Sequence, residues 1–576
     1  MSLHDLARHH GLTLAYEGRP VPDATLRLLL RDLGVDPVGT PEGPPAATEM
    51  RVPEDGRCFL PQSLRDAPGW GVFGQLYELR SARNWGIGDF ADLAVLARTC
   101  GAAGADFLGI NPVHALFTAE PRHTSPFSPS NRRFLNPLYI APDLLGCPRP
   151  EGLPDGDEVD YVAVAKAKLA ALRAAFDAAA ESADFDAFRA REGEALRLHA
   201  LFETLSYRFG GGWLGWPEAF HRPDAPEVRE HAEAHEDDIR FHEWLQWIAR
   251  TQLAAAQRAA EGSGMRLGLY LDLAVGEALD GSATWSGTAH ALEGVTVGAP
   301  PDVFSEDGQN WQLAAPSPRG GHGDFDAMIE AQLRDAGALR IDHAMALWQL
   351  FLIPKGEPAA NGTHLRYPME ALLRTLAARS NGSGAVVIGE DLGWVPEGFR
   401  DAMAEANVLA YRIVYFEQDE RGFHGPDAYP RTAMACLSTH DLPPLAGWWR
   451  GDDIRLRAEN GLISEGAAAQ QREHRVWERR ELAKAMGADV DAAADALPEA
   501  MLDAAHRFIA ATPCLLAGVR LADLVGPDRP TNMPGTTDGY PNWRPRAPVA
   551  VDDVADHPTF RRITALMRDA RPRPNA

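Results

Sequence analysis

The chain has 576 residues, 45% hydrophobic and 24% charged, which is enough for a large core and more than one layer of structure. Its 56 basic and 81 acidic residues leave a formal charge of −25. That balance argues against nucleic acid and against an anionic membrane as partners, since both require clustered Lys and Arg. The five cysteines (Cys58, Cys100, Cys147, Cys436 and Cys514) are scattered, without a CxxC pair, so neither a disulfide framework nor a zinc motif is expected. MSLHDLARHH lacks the basic start and apolar core of a signal peptide, and no apolar run approaches the roughly 20 residues of a membrane span. The expected compartment is the cytoplasm.

In chain order, residues 3–34 show helical periodicity on either side of a turn, and residues 35–56 are rich in Pro and Gly. Residues 1–56 are therefore expected to form a helical extension and linker. The remainder, 57–576, is expected to form the catalytic unit.

Eight short apolar or β-branched runs follow: 71–79, 106–114, 266–275, 338–345, 385–393, 409–417, 434–441 and 514–524. Amphipathic helical patterns lie between several of them, such as FADLAVLARTCGAAG and MEALLRTLAARS. Repeated strand–helix alternation implies a parallel sheet, and eight strands fit a closed (β/α)8 TIM barrel. An open doubly wound sheet is the alternative. About 150 residues separate the second and third runs, which calls for a helical insertion over 141–262. Residues 276–324 carry Gly, Pro, Asp and Trp with little periodicity and read as an active-site loop region. Little of the chain after Asp441 remains for a C-terminal β-domain.

Three of the runs end in a carboxylate: ALRIDH in Asp342, IGEDLG in Glu390 and LSTHD in Asp441. Strand C-termini are where a barrel builds its active site, so the three acids would converge on one mouth. Glycosidic-bond chemistry requires such a set, with one carboxylate as nucleophile and one carboxylic acid as proton donor. Alternation places Arg340 and Asp342 on one face of their strand. A cation beside a carboxylate favours its charged form, which a nucleophile needs; a structural ion pair would look the same. Glu390 and Asp391 point to opposite sides, so that one faces the mouth while the other supports a loop. His440 beside Asp441 suits a pyranose ring. A metal site is the other reading, but no second His or Cys falls at ligand spacing.

The chain resembles the 4-α-glucanotransferase family (amylomaltases, or disproportionating enzymes) of the α-amylase superfamily. The resemblance runs from about residue 70 onward. It is carried by YELRSARNWGIGDFADL (77–93), SPFSPSNRRFLNPLYI (125–140), GAPPDVFSEDGQNW (298–311), LRIDH, GEDLG, STHDLPPLAGWW (438–449) and NMPGTTDGYPNW (532–543). It implies Asp342 as nucleophile, Glu390 as general acid/base and Asp441 as transition-state stabiliser. Arg340 and His440 would flank the sugar at the cleaved bond. Ser125, Asp280, Glu306, Gln309, Trp311, Glu417, Asn532 and Pro534 match the family's glucan contacts, and 298–311 its mobile loop. Maltooligosaccharides and α-1,4-glucans are the implied ligands, with no cofactor and no metal. The chain departs from the family at Phe127, where Tyr is usual, at Ala346, at THLRYP (363–368) and at Gly539.

Overall fold

The structure, a computed structural model, describes residues 2–573 except 17, 42, 302–306, 321 and 537–538, and also leaves the side chain of residue 322 undescribed. At its centre eight parallel strands close into a barrel: β1 (Gly69–Phe73), β2 (Phe107–Gly109), β3 (Gly268–Leu273), β4 (Ala338–Ile341), β5 (Val386–Gly389), β6 (Leu409–Ile413), β7 (Ala433–Cys436) and β8 (Leu516–Arg520). They follow one another around the barrel in chain order, and β8 pairs β1 to close it. Each of the eight apolar runs overlaps one strand, and two strands, Gly69–Phe73 and Ala433–Cys436, begin a residue or two before their runs. The fold is the (β/α)8 TIM barrel, and the open-sheet alternative is excluded by closure.

The reason lies in burial. Parallel strands covered on both faces need apolar side chains at consecutive positions, as in VVIG and AMAC, where every residue is buried. Inside the barrel, Phe73, Phe107 and Tyr270 pack edge to face with ring centroids 5.1–5.6 Å apart. Glycines make room for them: a Cβ on Gly109 would stand 2.2 Å from the Phe73 ring, and one on Gly518 2.3 Å from the same ring. Large and small residues thus alternate to fill the interior. Outside, helix Phe90–Ala102 starts at a capping box in which Asp89 and Asp92 exchange side-chain and backbone hydrogen bonds.

The chain between β2 and β3 carries helices Tyr161–Ala178, Ala183–Phe209, Pro226–Ala234 and Glu236–Gly262. The last is also the crossover helix of the barrel. It packs on Phe90–Ala102 and sends Leu253, Ala256 and Ala260 into the barrel core. A separate apolar cluster, with Phe202, Trp216, Ile239 and Trp285, joins these helices to the loop after β3.

One element differs from the sequence reading. Residues 276–324 are not all loop: strands Ala291–Ala299 and Gln309–Pro316 form a hairpin within a four-stranded antiparallel sheet completed by Gln349–Pro354 and Thr363–Arg366. Their alternation is interrupted by irregular register in the hairpin and by the Gly and Pro around it, which hides the period of two. Helices Leu3–His9 and Asp23–Asp32 cover this sheet: Leu6, Leu26, Leu29 and Leu30 pack on Val295, Val297, Leu350 and Leu352. The two N-terminal helices thus build a second apolar core together with the sheet, while Met50 and Val52 of the following segment pack on the barrel core. Among the described residues no strand follows Arg520, and no helix is long and apolar enough to cross a membrane.

Candidate active site

The barrel register sets the site. Arg340 pairs in register with Asp272 of β3 and Ile388 of β5. The ladder continues one residue further, with the Asp342 N–H donating to the Leu273 carbonyl and the Glu390 N–H to the Ile341 carbonyl, both at 3.0 Å. Asp342 and Glu390 are therefore placed by sheet hydrogen bonds at the C-terminal mouth.

Arg340 and Asp342 do share a face. The buried guanidinium donates through Nη1 to Asp272 Oδ1 at 2.6 Å and through Nη2 to Asp342 Oδ1 at 2.7 Å. One oxygen of Asp342 is thereby fixed. Burial pushes the Asp272 carboxyl up to about 6, against the opposing pull of Arg340.

Glu390 is held differently. Its Oε2 accepts the His343 N–H at 2.9 Å and its Oε1 the Leu392 N–H at 2.6 Å. His343 adopts a left-handed backbone, φ 49° and ψ 59°, at a cost of about 1–2 kcal/mol for a non-glycine residue. That turn brings its N–H within bonding distance of Glu390. Burial raises the Glu390 carboxyl to about 7; Arg340 and the two N–H donors oppose the rise, and Asp342 adds to it. Asp391 faces away and binds Arg412, Arg400 and the Tyr411 N–H, tying β5 to β6.

Asp441 accepts from Asn532 Nδ2 at 2.6 Å and stands 3.1 Å from His440 Nε2. Burial in the groove would raise its carboxyl; His440 and Asn532 outweigh that and hold it at about 2, although 41% of the side chain remains accessible. The His440 ring stacks on Phe127, centroids 4.5 Å apart and 18° between planes, with Trp543 5.6 Å away on a tilted approach.

Arg340, Asp342, Glu390, His440, Asp441 and Asn532 therefore line one mouth. Trp311 meets His343 edge to face at 5.1 Å and donates Nε1 to the exposed Gln309 at 3.1 Å, so both sit on the hairpin beside the nucleophile turn. Ser125 Oγ accepts the Phe127 N–H at 3.3 Å, inside the loop that delivers Phe127. Three residues have other neighbours. Asp280 packs against Gly212 of the insertion, where a Cβ would come 2.0 Å from its Oδ2. Glu417 faces Arg412 at 3.7 Å and His424 at 4.0 Å beyond β6. Pro534 is exposed on the Asn532 loop. Glu306 falls outside the described residues.

Sequence reasoning missed Asp272 and His343. Asp272 interrupts the apolar run GLYLDL one residue before its end, a lone acid that marks the strand as carrying function. The left-handed turn at His343 leaves no mark that composition reveals. Among the described residues no group of three His, Cys, Asp or Glu side chains is arranged to hold a metal ion.

A (β/α)8 barrel with carboxylates at the ends of β3, β4 and β5 and after β7 defines an enzyme of the glycosidic-bond class. The model of the 4-alpha-glucanotransferase family matches residues 74–551, and the chain belongs to that family. It is 37% identical over 550 residues to a 4-alpha-glucanotransferase of Mycobacterium tuberculosis, covering 89% of this chain and 76% of that one. A 4-alpha-glucanotransferase of Haemophilus influenzae is 35% identical over 533 residues, covering 84% and 76%. The crystal structure of amylomaltase from Corynebacterium glutamicum superposes with a TM-score of 0.84 at 27% identity, covering 98% of this chain and 99% of that one.

Proposed function

We propose that this 4-α-glucanotransferase works on α-1,4-glucans by a retaining double displacement with Asp342 as nucleophile and Glu390 as general acid/base. The observation that carries the reading is the contrast between two neighbouring carboxylates. Asp342 is tied to a buried guanidinium, and Glu390 is buried against backbone N–H groups with its carboxyl raised to about 7. A carboxylate held by a buried guanidinium suits the nucleophile, and a buried carboxyl raised toward neutrality suits the proton donor.

In the first half-reaction the free oxygen of Asp342 attacks the anomeric carbon. Glu390 gives its proton to the glycosidic oxygen, and the reducing-end glucan leaves. In the second, ionised Glu390 takes the proton of an acceptor 4-hydroxyl, whose oxygen displaces Asp342 from the anomeric carbon. Asp441, charged well below neutral pH, faces the positive charge that develops on the ring, and His440 donates to its hydroxyls. Phe127 supplies a flat apolar surface beside His440 for the sugar face. Asn532, Gln309 and Trp311 are assigned to glucan contacts near the mouth, and Ser125, Asp280, Glu306, Glu417 and Pro534 to contacts further along the chain. The free, mostly buried cysteines suit a reducing compartment, and we place the enzyme in the cytoplasm.

The test is incubation with maltotriose. Transfer yields glucose and a ladder of longer maltodextrins; a hydrolase on the same scaffold would yield only shorter products. The pH dependence follows from Glu390. Its raised carboxyl is protonated below about pH 7, so kcat/KM should fall about tenfold per unit above that point as the proton is lost before substrate binds. Initial rates across neutral and alkaline pH check this, and a rate still rising well above pH 7 would remove Glu390 from the acid role.

Trp311 is assigned to excluding water. It stands on the hairpin beside the nucleophile turn, where a bound acceptor would cover the covalent intermediate. Trp311→Ala should raise the ratio of hydrolysis to transfer several-fold. That ratio is read as new reducing ends against glucose released from maltotriose. An unchanged ratio at lower activity would leave Trp311 as a support for His343 only.

A further inference from the structure

A second groove, of about 960 Å³, opens between the N-terminal segment and the loop after β5. Its volume is that of a full ligand cleft, about 300–1,000 Å³. Trp348, His364 and Arg366 contribute from the antiparallel sheet and the chain leading into it, Tyr16 from the N-terminal segment, and Trp394 and Glu397 from the loop after β5.

Trp394 is the informative residue. One side of its ring meets His364, centroids 4.9 Å apart, yet 45% of the residue stays exposed on the groove. A large aromatic ring left open in a concave surface offers a flat apolar face on which a sugar ring can stack. Nearby, the Arg366 guanidinium lies 5.2 Å from the centre of the Trp348 ring, and its buried Nε has no hydrogen-bond partner. Charges of both signs edge the groove: Arg366 and Arg51, the latter paired with Glu49, and the acids Glu397, Asp401 and Glu405. They supply hydrogen-bond donors and acceptors for a polyhydroxyl chain.

The loop that follows Glu390 also walls the groove, through Trp394, Pro396 and Glu397. Leu392, whose N–H holds Glu390, stands two residues before Trp394. Glu390 protonates the leaving glucan and activates the acceptor, so its loop serves the reducing-end side of the bond that is cut, and a long glucan bound there would extend along that loop.

We propose that this groove binds the reducing-end portion of long α-1,4-glucans, with Trp394 as the stacking platform. The proposal rests on the glucanotransferase reading and adds to it a site for sugars remote from the reacting bond. Stacking on Trp394 strengthens binding of chains long enough to reach it and does nothing for a trisaccharide held at the mouth.

The experiment compares kcat/KM for maltoheptaose with kcat/KM for maltotriose. Dividing one by the other cancels any effect that reaches Glu390, which serves both substrates. Trp394→Ala should lower this ratio about tenfold, and Trp394→Phe, which keeps a ring, should hold it within about twofold of wild type. A ratio unchanged in Trp394→Ala overturns the proposal. Calorimetric binding of maltoheptaose to Asp342→Asn, with and without Trp394→Ala, reads the groove independently of turnover. About tenfold weaker binding is expected, and equal affinity overturns the proposal. Wild-type enzyme that made no longer products from maltotriose would instead defeat the transferase reading, while the binding comparison would still decide the groove.

Discussion

Asp342→Asn will lose turnover by about 10⁴-fold or more, because an amide cannot form the covalent intermediate on which both half-reactions depend. The variant should still fold and still bind maltotriose. Arg340 remains paired with Asp272 at 2.6 Å, so the substitution strands no buried cation, and the Asn carbonyl can accept the Nη2 hydrogen bond that Asp342 Oδ1 now takes at 2.7 Å. Initial rates of maltotriose disproportionation and calorimetric affinity check the two halves. A variant keeping more than about one part in a hundred of the wild-type rate would place the nucleophile elsewhere.

Glu390→Gln should lose about 10²–10⁴-fold with maltotriose, the range of general acid catalysis. Its signature is selective rescue. α-Glucosyl fluoride carries a leaving group that departs without a proton, so the first half-reaction should recover in Glu390→Gln and stay absent in Asp342→Asn. Fluoride release is the readout. Gln presents one carbonyl oxygen to two N–H donors, from His343 and Leu392, so one of them loses its partner and some loss of melting temperature is expected. Equal fluoride release from the two variants would contradict the division of roles.

The barrel was legible because its physics writes a simple pattern. Strands such as VVIG and AMAC are buried on both faces and appear as unbroken apolar runs, and an acid closing such a run stands out. Asp342, Glu390 and Asp441 were found by that rule; Asp272 escaped it because its apolar run continues through Leu273, Ala274 and Val275. The antiparallel sheet was not legible. Its hairpin has irregular register, and its strands have a mixed burial pattern, as in QNWQLAAP, where the first residues are exposed and the later ones buried. The N-terminal helices show the same asymmetry. Their apolar stripe was readable, while the surface it covers, Val295, Val297 and Leu352, belongs to strands that were read as loop or passed over. Within the site, the left-handed turn at His343 and the stacking of Phe127 on His440 depend on chain reversals and on contacts between distant segments, which no local spacing encodes.

The most direct measurement is the mass of the trapped intermediate. Glu390→Gln incubated with α-glucosyl fluoride and no acceptor should accumulate a glucosyl-enzyme, because the second half-reaction lacks its base. Peptide mass spectrometry should find one added glucosyl residue on the peptide containing Asp342, and adding azide, a nucleophile that needs no deprotonation, should discharge it as α-glucosyl azide. A glucosyl group found on any other residue, or fluoride release with no adduct and free glucose of inverted configuration, would contradict the double displacement through Asp342.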